Sequence, residues 1–108
     1  MAVSPDYIEF VLEQLAPAAA ATPKRMFGGV GLYADGLFFG LIAEDTLYFK
    51  VDETNRADFE AHGCEAFRPY KDTRSMNYFA VPEEVLEDSD QLSDWARKAI
   101  AVAARSKR

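Results

Sequence analysis

The 108-residue sequence predicts an α+β fold: a two-layer α/β sandwich in which helices cover one antiparallel sheet. Three observations predict it. The stretch from Arg25 to Lys50, RMFGGVGLYADGLFFGLIAEDTLYFK, reads as three short strands joined by two tight turns. Apolar residues at helical spacing mark the beginning and end of the chain. Strand-like runs follow one another as hairpins without a βαβ rhythm, which points to α+β with an antiparallel sheet. The predicted order is α-β(3)-α-β(2)-α in one domain spanning residues 1–108.

The first helix opens at Ser4-Pro5-Asp6. Serine suits the cap, proline the first helical position, and aspartate the positive end of the helix dipole. Tyr7, Ile8, Val11, Leu12 and Leu15 continue it at helical spacing, and Pro17 marks its end. Residues 16 to 23 read as a connector.

Asp35-Gly36 is a two-residue hairpin signal, since a type I′ turn needs positive φ at both central positions. Counting outward pairs Ala34 with Leu37, Tyr33 with Phe38, Leu32 with Phe39 and Gly31 with Gly40. A second turn at Glu44-Asp45 pairs Ile42 with Leu47, Leu41 with Tyr48 and Gly40 with Phe49. Side chains alternate between faces. Phe38, Ile42, Leu47, Phe49 and Val51 then share the face that the helices are expected to cover. Leu32, Phe39, Leu41, Tyr48 and Lys50 fall on the other. An antiparallel sheet commonly keeps one face polar. A second apolar face calls for a partner, a dimer contact, or cover from a further helix.

Beyond the sheet, Asp52 or Thr54 begins a helix of roughly ten residues, with Gly63 at the left-handed position past its end. AFRPY (66–70) and SMNYFAV (75–81) read as two more strands, and Pro82 leads into a short helical turn through Leu86. The last helix is capped at Asp88 or Ser89, and Asp88 with Gln91 resembles a capping box. Leu92, Trp95, Ala96, Ala99, Ile100 and Ala103 form its apolar stripe, with Trp95 in the core.

Composition narrows the function. Net charge is −6, which opposes non-specific binding to phosphate backbones. One cysteine, Cys64, and one histidine, His62, cannot build a cysteine-rich zinc site. A lone cysteine permits no internal disulfide and fits a reducing compartment. The start MAVSPDYIEF lacks a signal-peptide pattern, and no stretch reaches the roughly 20 apolar residues of a membrane helix. A cytoplasmic location is expected, with no membrane association, metal or cofactor.

Local motifs carry little chemistry. Gly29-Val30-Gly31-Leu32-Tyr33-Ala34 matches G-x-G-x-x-A, but dinucleotide binding needs the glycine turn to open a helix, and here it leads into a strand. His62 and Cys64 lack the orienting third group of a nucleophile pair. Arg25, Arg68, Lys71 and Arg74 form a candidate basic rim, joined by Lys24 and Lys50 and interleaved with Phe67 and Tyr70. Residues 83–90 are acidic and read as a solvated turn that supports the last helix.

Taken together, MFGG, the G-x-Y before the Asp-Gly turn, the FG of the next strand, LYFK, FRPY, MNYFAVP and the closing LSDWARKA occur in an order that resembles the TfoX/Sxy N-terminal domain. The resemblance runs from about Tyr7 to Ala103. It implies a bacterial two-layer domain of α-β(3)-α-β(2)-α type. It also implies kinship with regulators of natural competence that work with the cyclic-AMP receptor protein at promoters. Full-length relatives carry a second domain of helix-hairpin-helix character. This chain ends after the first, so direct nucleic-acid binding is not expected. The family pattern contains no catalytic residues, and none are assigned here.

The expected function is therefore a non-enzymatic protein-interaction domain linked to transcriptional or competence regulation. The partner is another protein, such as a transcription regulator, or a second copy in a homodimer. Phe39, Leu41, Tyr48 and Lys50 are the expected partner-binding residues. A small-molecule site beside a Gly31/Gly40 gap is the remaining alternative.

Overall fold

A computed structural model describes residues 4–26, 29–63 and 78–106. Helix α1 (Pro5–Leu15) is followed by four strands: β1 (Thr22–Met26), β2 (Gly29–Ala34), β3 (Leu37–Ala43) and β4 (Thr46–Lys50). Then come α2 (Arg56–Ala61), β5 (Tyr78–Ala80), α3 (Glu83–Leu86) and the long α4 (Ser89–Ser106). The five strands pair antiparallel in sequence order, and α4 lies across β3 and β4 with α1 and α3 beside it. The fold is α+β with helices against one sheet.

The helix starts follow their caps. Ser4 Oγ accepts the Tyr7 amide at 3.1 Å, with Pro5 as the first helical residue. Asp88 Oδ1 accepts the Gln91 amide at 3.2 Å and caps α4. Gly63 has φ +67°, the left-handed residue that follows α2.

Both hairpin turns lie where the sequence puts them. Asp35 and Gly36 have φ of 52° and 79°, and Glu44 and Asp45 have 52° and 56°. The second turn holds two non-glycine residues in the left-handed region, where L-residues are disfavoured by roughly 1–2 kcal/mol each. Asp45 has a compensating contact: its Oδ1 accepts the Ser4 amide at 2.9 Å and ties the turn to the start of α1.

Two features differ from the sequence reading. The first is β1, which begins at Thr22 and Pro23 in what reads as a connector, runs on to Met26, and makes the leading run four strands rather than three. TPKRM offers no apolar alternation; it joins the sheet through its backbone, with Thr22 opposite Tyr33 and Lys24 opposite Gly31. Pro23 is tolerated because β1 is an edge strand. The second is α2, six residues long rather than ten. Residues 52–55 form a turn ahead of it. There the buried Asn55 accepts the Asp52 amide at 2.9 Å and donates to the Lys50 carbonyl at 3.1 Å. The expected strand at 66–70 lies outside the described residues.

The core lies between α4 and the sheet. Phe39, Ile42, Leu47 and Phe49 meet Leu92, Trp95, Ala96 and Ala99, while Val11 and Leu15 of α1 and Val85 of α3 close the sides. Trp95 is 5% exposed, with its ring centroid 4.6 Å from that of Phe59, and Phe59 in turn lies 5.9 Å from Phe79 of β5. Trp95→Ala is expected to destabilise the domain by about 3–5 kcal/mol, as for large-to-small changes in packed cores. A chemical-denaturation midpoint equal to the parent's would remove Trp95 from that role.

Asp52 joins the turn before α2 to the end of α4. Its Oδ1 accepts the Thr54 hydroxyl at 2.6 Å and the Thr54 amide at 2.8 Å, and Arg105 donates to its Oδ2 at 3.0 Å. The Thr54 hydroxyl first, then the Thr54 amide and Arg105, hold its carboxyl below the usual range. A depressed folded-state pKa stabilises above the unfolded value of about 3.9 and is lost as pH falls through the folded one. Asp52→Asn is expected to lower stability at pH 7 by less than about 1 kcal/mol, because the site is largely solvent-screened. The gap to the parent should close below about pH 4 in denaturation curves recorded across that range.

Candidate interaction face of the sheet

The faces of the sheet are decided in β3. The inner pairs of the first hairpin are Ala34 with Leu37 and Tyr33 with Phe38, but Leu32 then pairs with Gly40 and Gly31 with Leu41. Phe39 is therefore an extra residue with no β2 partner, a β-bulge. The bulge turns Phe39 to the helix-covered side, where it is 0% exposed and its ring lies 5.9 Å from that of Phe49. Gly40 permits this packing: a Cβ there would lie 2.8 Å from the Tyr48 carbonyl oxygen and 3.1 Å from Phe49 Cδ1.

This corrects the expected faces. Phe39 and Leu32 belong to the core and Phe38 to the opposite side, so Phe39 is not available to a partner. Gly31 and Gly40 do not face each other, and the Phe49 ring lies over Gly40, which removes the basis for a ligand site between them. In the second hairpin, Ile42–Leu47, Leu41–Tyr48 and Gly40–Phe49 pair as expected.

The face opposite the helices carries an aromatic row. Tyr33 and Phe38 stack with centroids 5.2 Å apart and planes at 27°. Phe38 continues to Tyr78 of β5 at 5.6 Å. A lysine stands at each end: Lys24 Nζ lies 6.0 Å from the Tyr33 centroid and Lys50 Nζ 5.9 Å from that of Tyr78. Leu41, Tyr48 and Lys50 of the expected partner-binding set lie on this face. Leu41 is 9% exposed, and Tyr48 and Lys50 are half-buried. Tyr78 is 6% exposed; burial, then the nearby Tyr33, pushes its hydroxyl up to about 12, so it stays protonated and able to donate. Tyr33 and Phe38 are half-buried and Lys24 is exposed.

The basic rim is only partly placed. Arg25 is exposed on β1, opposite Val30, on the edge of the sheet. Arg68, Lys71 and Arg74 lie outside the described residues, as does Cys64. His62 packs edge-on against Trp95 at 5.3 Å and its Nε2 lies 3.4 Å from Glu84, which braces α2 against α3. The G-x-G-x-x-A motif forms β2 and leads into the Asp35-Gly36 turn, with no helix start beside it. Among the described residues, no group of three His, Cys, Asp or Glu is placed to hold a metal ion, and no helix is long and apolar enough to cross a membrane. Sequence reasoning missed Tyr33, Phe38 and Tyr78 as a unit, because their row crosses three strands and depends on the bulge.

The geometry defines a two-layer α+β domain with an aromatic and cationic sheet face. The family described as the TfoX N-terminal domain matches residues 13–103, and the chain belongs to that family. A curated relative, the DNA transformation protein TfoX1 of Aliivibrio fischeri (strain ATCC 700601 / ES114), is 40% identical over 62 residues. Those residues are 56% of this chain and 30% of the relative, so the match spans less than a third of that protein.

The face assignment has a direct check in two neighbouring phenylalanines. Phe39→Ala is expected to cost about 3–5 kcal/mol, as a fully buried ring. Phe38→Ala should cost about 1 kcal/mol, the scale of a cross-strand aromatic pair. Equal losses in urea denaturation, or the reverse order, would mean that the bulge does not exist in solution.

Proposed function

We propose that this domain is a non-enzymatic protein-interaction module of the bacterial cytoplasm that contributes to competence-linked gene regulation. It does so by docking another protein on the sheet face opposite the helices. The observation that carries this reading is the row Lys24–Tyr33–Phe38–Tyr78–Lys50. Aromatic side chains are enriched at protein interfaces, where rings supply contact area at low entropic cost, and flanking charges such as Lys24 and Lys50 act on partner choice more than on affinity. The ionisable groups that pair elsewhere brace one helix or turn against another: Lys98 with Asp58, Arg105 with Asp52, and His62 with Glu84. That use supports a binding role over a catalytic one. Family membership and the printed name of the relative support the link to DNA transformation.

The reading is tested with a photo-crosslinking amino acid placed in the native host at position 33, on this face, or at position 10, on α1. Phe10 is the natural control because it is the large apolar side chain most open to solvent among the described residues, at 38%. A protein captured from position 33 and not from 10 is expected. In a Phe38→Asp strain with unchanged protein level, transcripts of DNA-uptake genes should fall. Wild-type transcript levels in that strain would sink the proposal.

A further inference from the structure

Charge on this domain is uneven: α2 and α4 carry both signs, with Arg56, Arg97, Lys98 and Arg105 among their residues, while each other element carries at most one sign. Among the described residues, α1, α3 and the segment from Glu87 to Asp94 carry aspartates and glutamates and no lysine or arginine. The five strands carry Lys24, Arg25 and Lys50 and no acidic residue. A chain of net charge −6 thus presents Lys24 and Lys50 on the sheet face away from its acidic helix starts, while Arg25 shares the side of its core partner Val30. Lys24 and Lys50 stand on β1 and β4, three strand spacings apart across the sheet and two residues apart along it, or about 16 Å. The half-buried Tyr33 and Phe38 lie between them.

We propose that the occupant of this face is an acidic polypeptide segment that also carries apolar side chains. This deepens the interaction reading above and rests on it. Complementarity selects an anion, because among the described residues the formal charges on the strands are positive. Two observations favour a polypeptide over a nucleic acid. Tyr33 and Phe38 stack on each other and Phe38 also meets Tyr78, so the rings spend part of their faces on one another rather than standing open as a base-stacking platform. Acidic residues also stand at both ends of the strands, with Asp35 in one turn and Glu44 and Asp45 in the other. A polyanion running along the strands and past them would meet these. A short acidic segment confined between the two lysines would not. Its apolar side chains would cover Phe38 and Tyr33 while its carboxylates meet Lys24 and Lys50.

The test measures fluorescence anisotropy of three labelled probes with the full chain. They are a six-residue peptide, Asp-Glu-Leu-Phe-Glu-Asp, the same peptide with lysine at each acidic position, and a 20-nucleotide oligothymidine. The acidic peptide is expected to bind at least about tenfold more tightly than either other probe, and to weaken about tenfold between 50 and 300 mM salt. Lys24→Glu/Lys50→Glu, folded by circular dichroism, should lose about tenfold or more. Phe38→Ala should also weaken binding. Tighter binding of oligothymidine, equal binding of the two peptides, or no binding of the acidic one would overturn the proposal. Light scattering on the same samples identifies a second copy as the occupant if mass rises without peptide, and that outcome also overturns it. The two readings fail separately. If Phe38→Asp abolishes the cross-link in cells and the charge reversal does not, the face is a docking site but its partner is not acidic. If neither variant changes it, the docking reading itself is lost.

Discussion

One strand has to send two adjacent phenylalanines to opposite sides of a single sheet. In a regular β3 the alternation already separates Phe38 from Phe39, yet it would put Phe39 outside, beside Leu41, and Phe38 inside, beside Ile42. The extra residue at Phe39 reverses this for the first half of the strand and leaves the second half alone. Everything on the sheet takes its side from that reversal. Leu32 and Phe39 complete the core beneath α4, and Tyr33 and Phe38 become the centre of the opposite face.

The cause lies in how little Gly40 occupies. The Phe49 ring fills the space where a side chain would be, and the Tyr48 carbonyl approaches from the next strand. A β-carbon at position 40 would meet both. The glycine thus supplies room for Phe39 and Phe49 to lie side by side in the core at 5.9 Å, an arrangement strict pairing with Leu32 would prevent. Packing of large rings takes precedence over regular hydrogen-bond register because burying an aromatic is worth several times one ladder bond.

This also explains what was legible in the sequence. Both turns were readable from local chemistry, Asp35-Gly36 by its left-handed preference and Glu44-Asp45 by the strands on either side. The second hairpin's register followed without error. The caps at Ser4 and Asp88 and the buried Trp95 were readable for the same reason: each is set by its nearest neighbours or by helical spacing. The bulge was not, because nothing in FFG distinguishes a regular strand from one with an extra residue until the opposing ring is placed. Strand β1 was hidden by its proline and two cations, which suit an edge and weaken every strand signal. Asn55 falls inside the expected second helix, whereas it is buried in the turn ahead of α2 and pins the chain after β4.

The candidate face inherits the same division. Leu41, Tyr48 and Lys50 lie on the expected sheet face because the second hairpin keeps its expected register, and Phe39 does not because it is the bulge. A row made of Tyr33, Phe38 and Tyr78 joins residues far apart in sequence, so no local pattern could have named it. Its lysines have two uses. Each lies near an aromatic ring at about the outer limit of a cation–π contact, a weak tie at an exposed site. Such a tie orients the ammonium over the sheet and leaves most of its charge available. For the acidic partner proposed above, a carboxylate would meet a cation already held near its ring, and part of the ordering entropy of the lysine would be spent in the folded state.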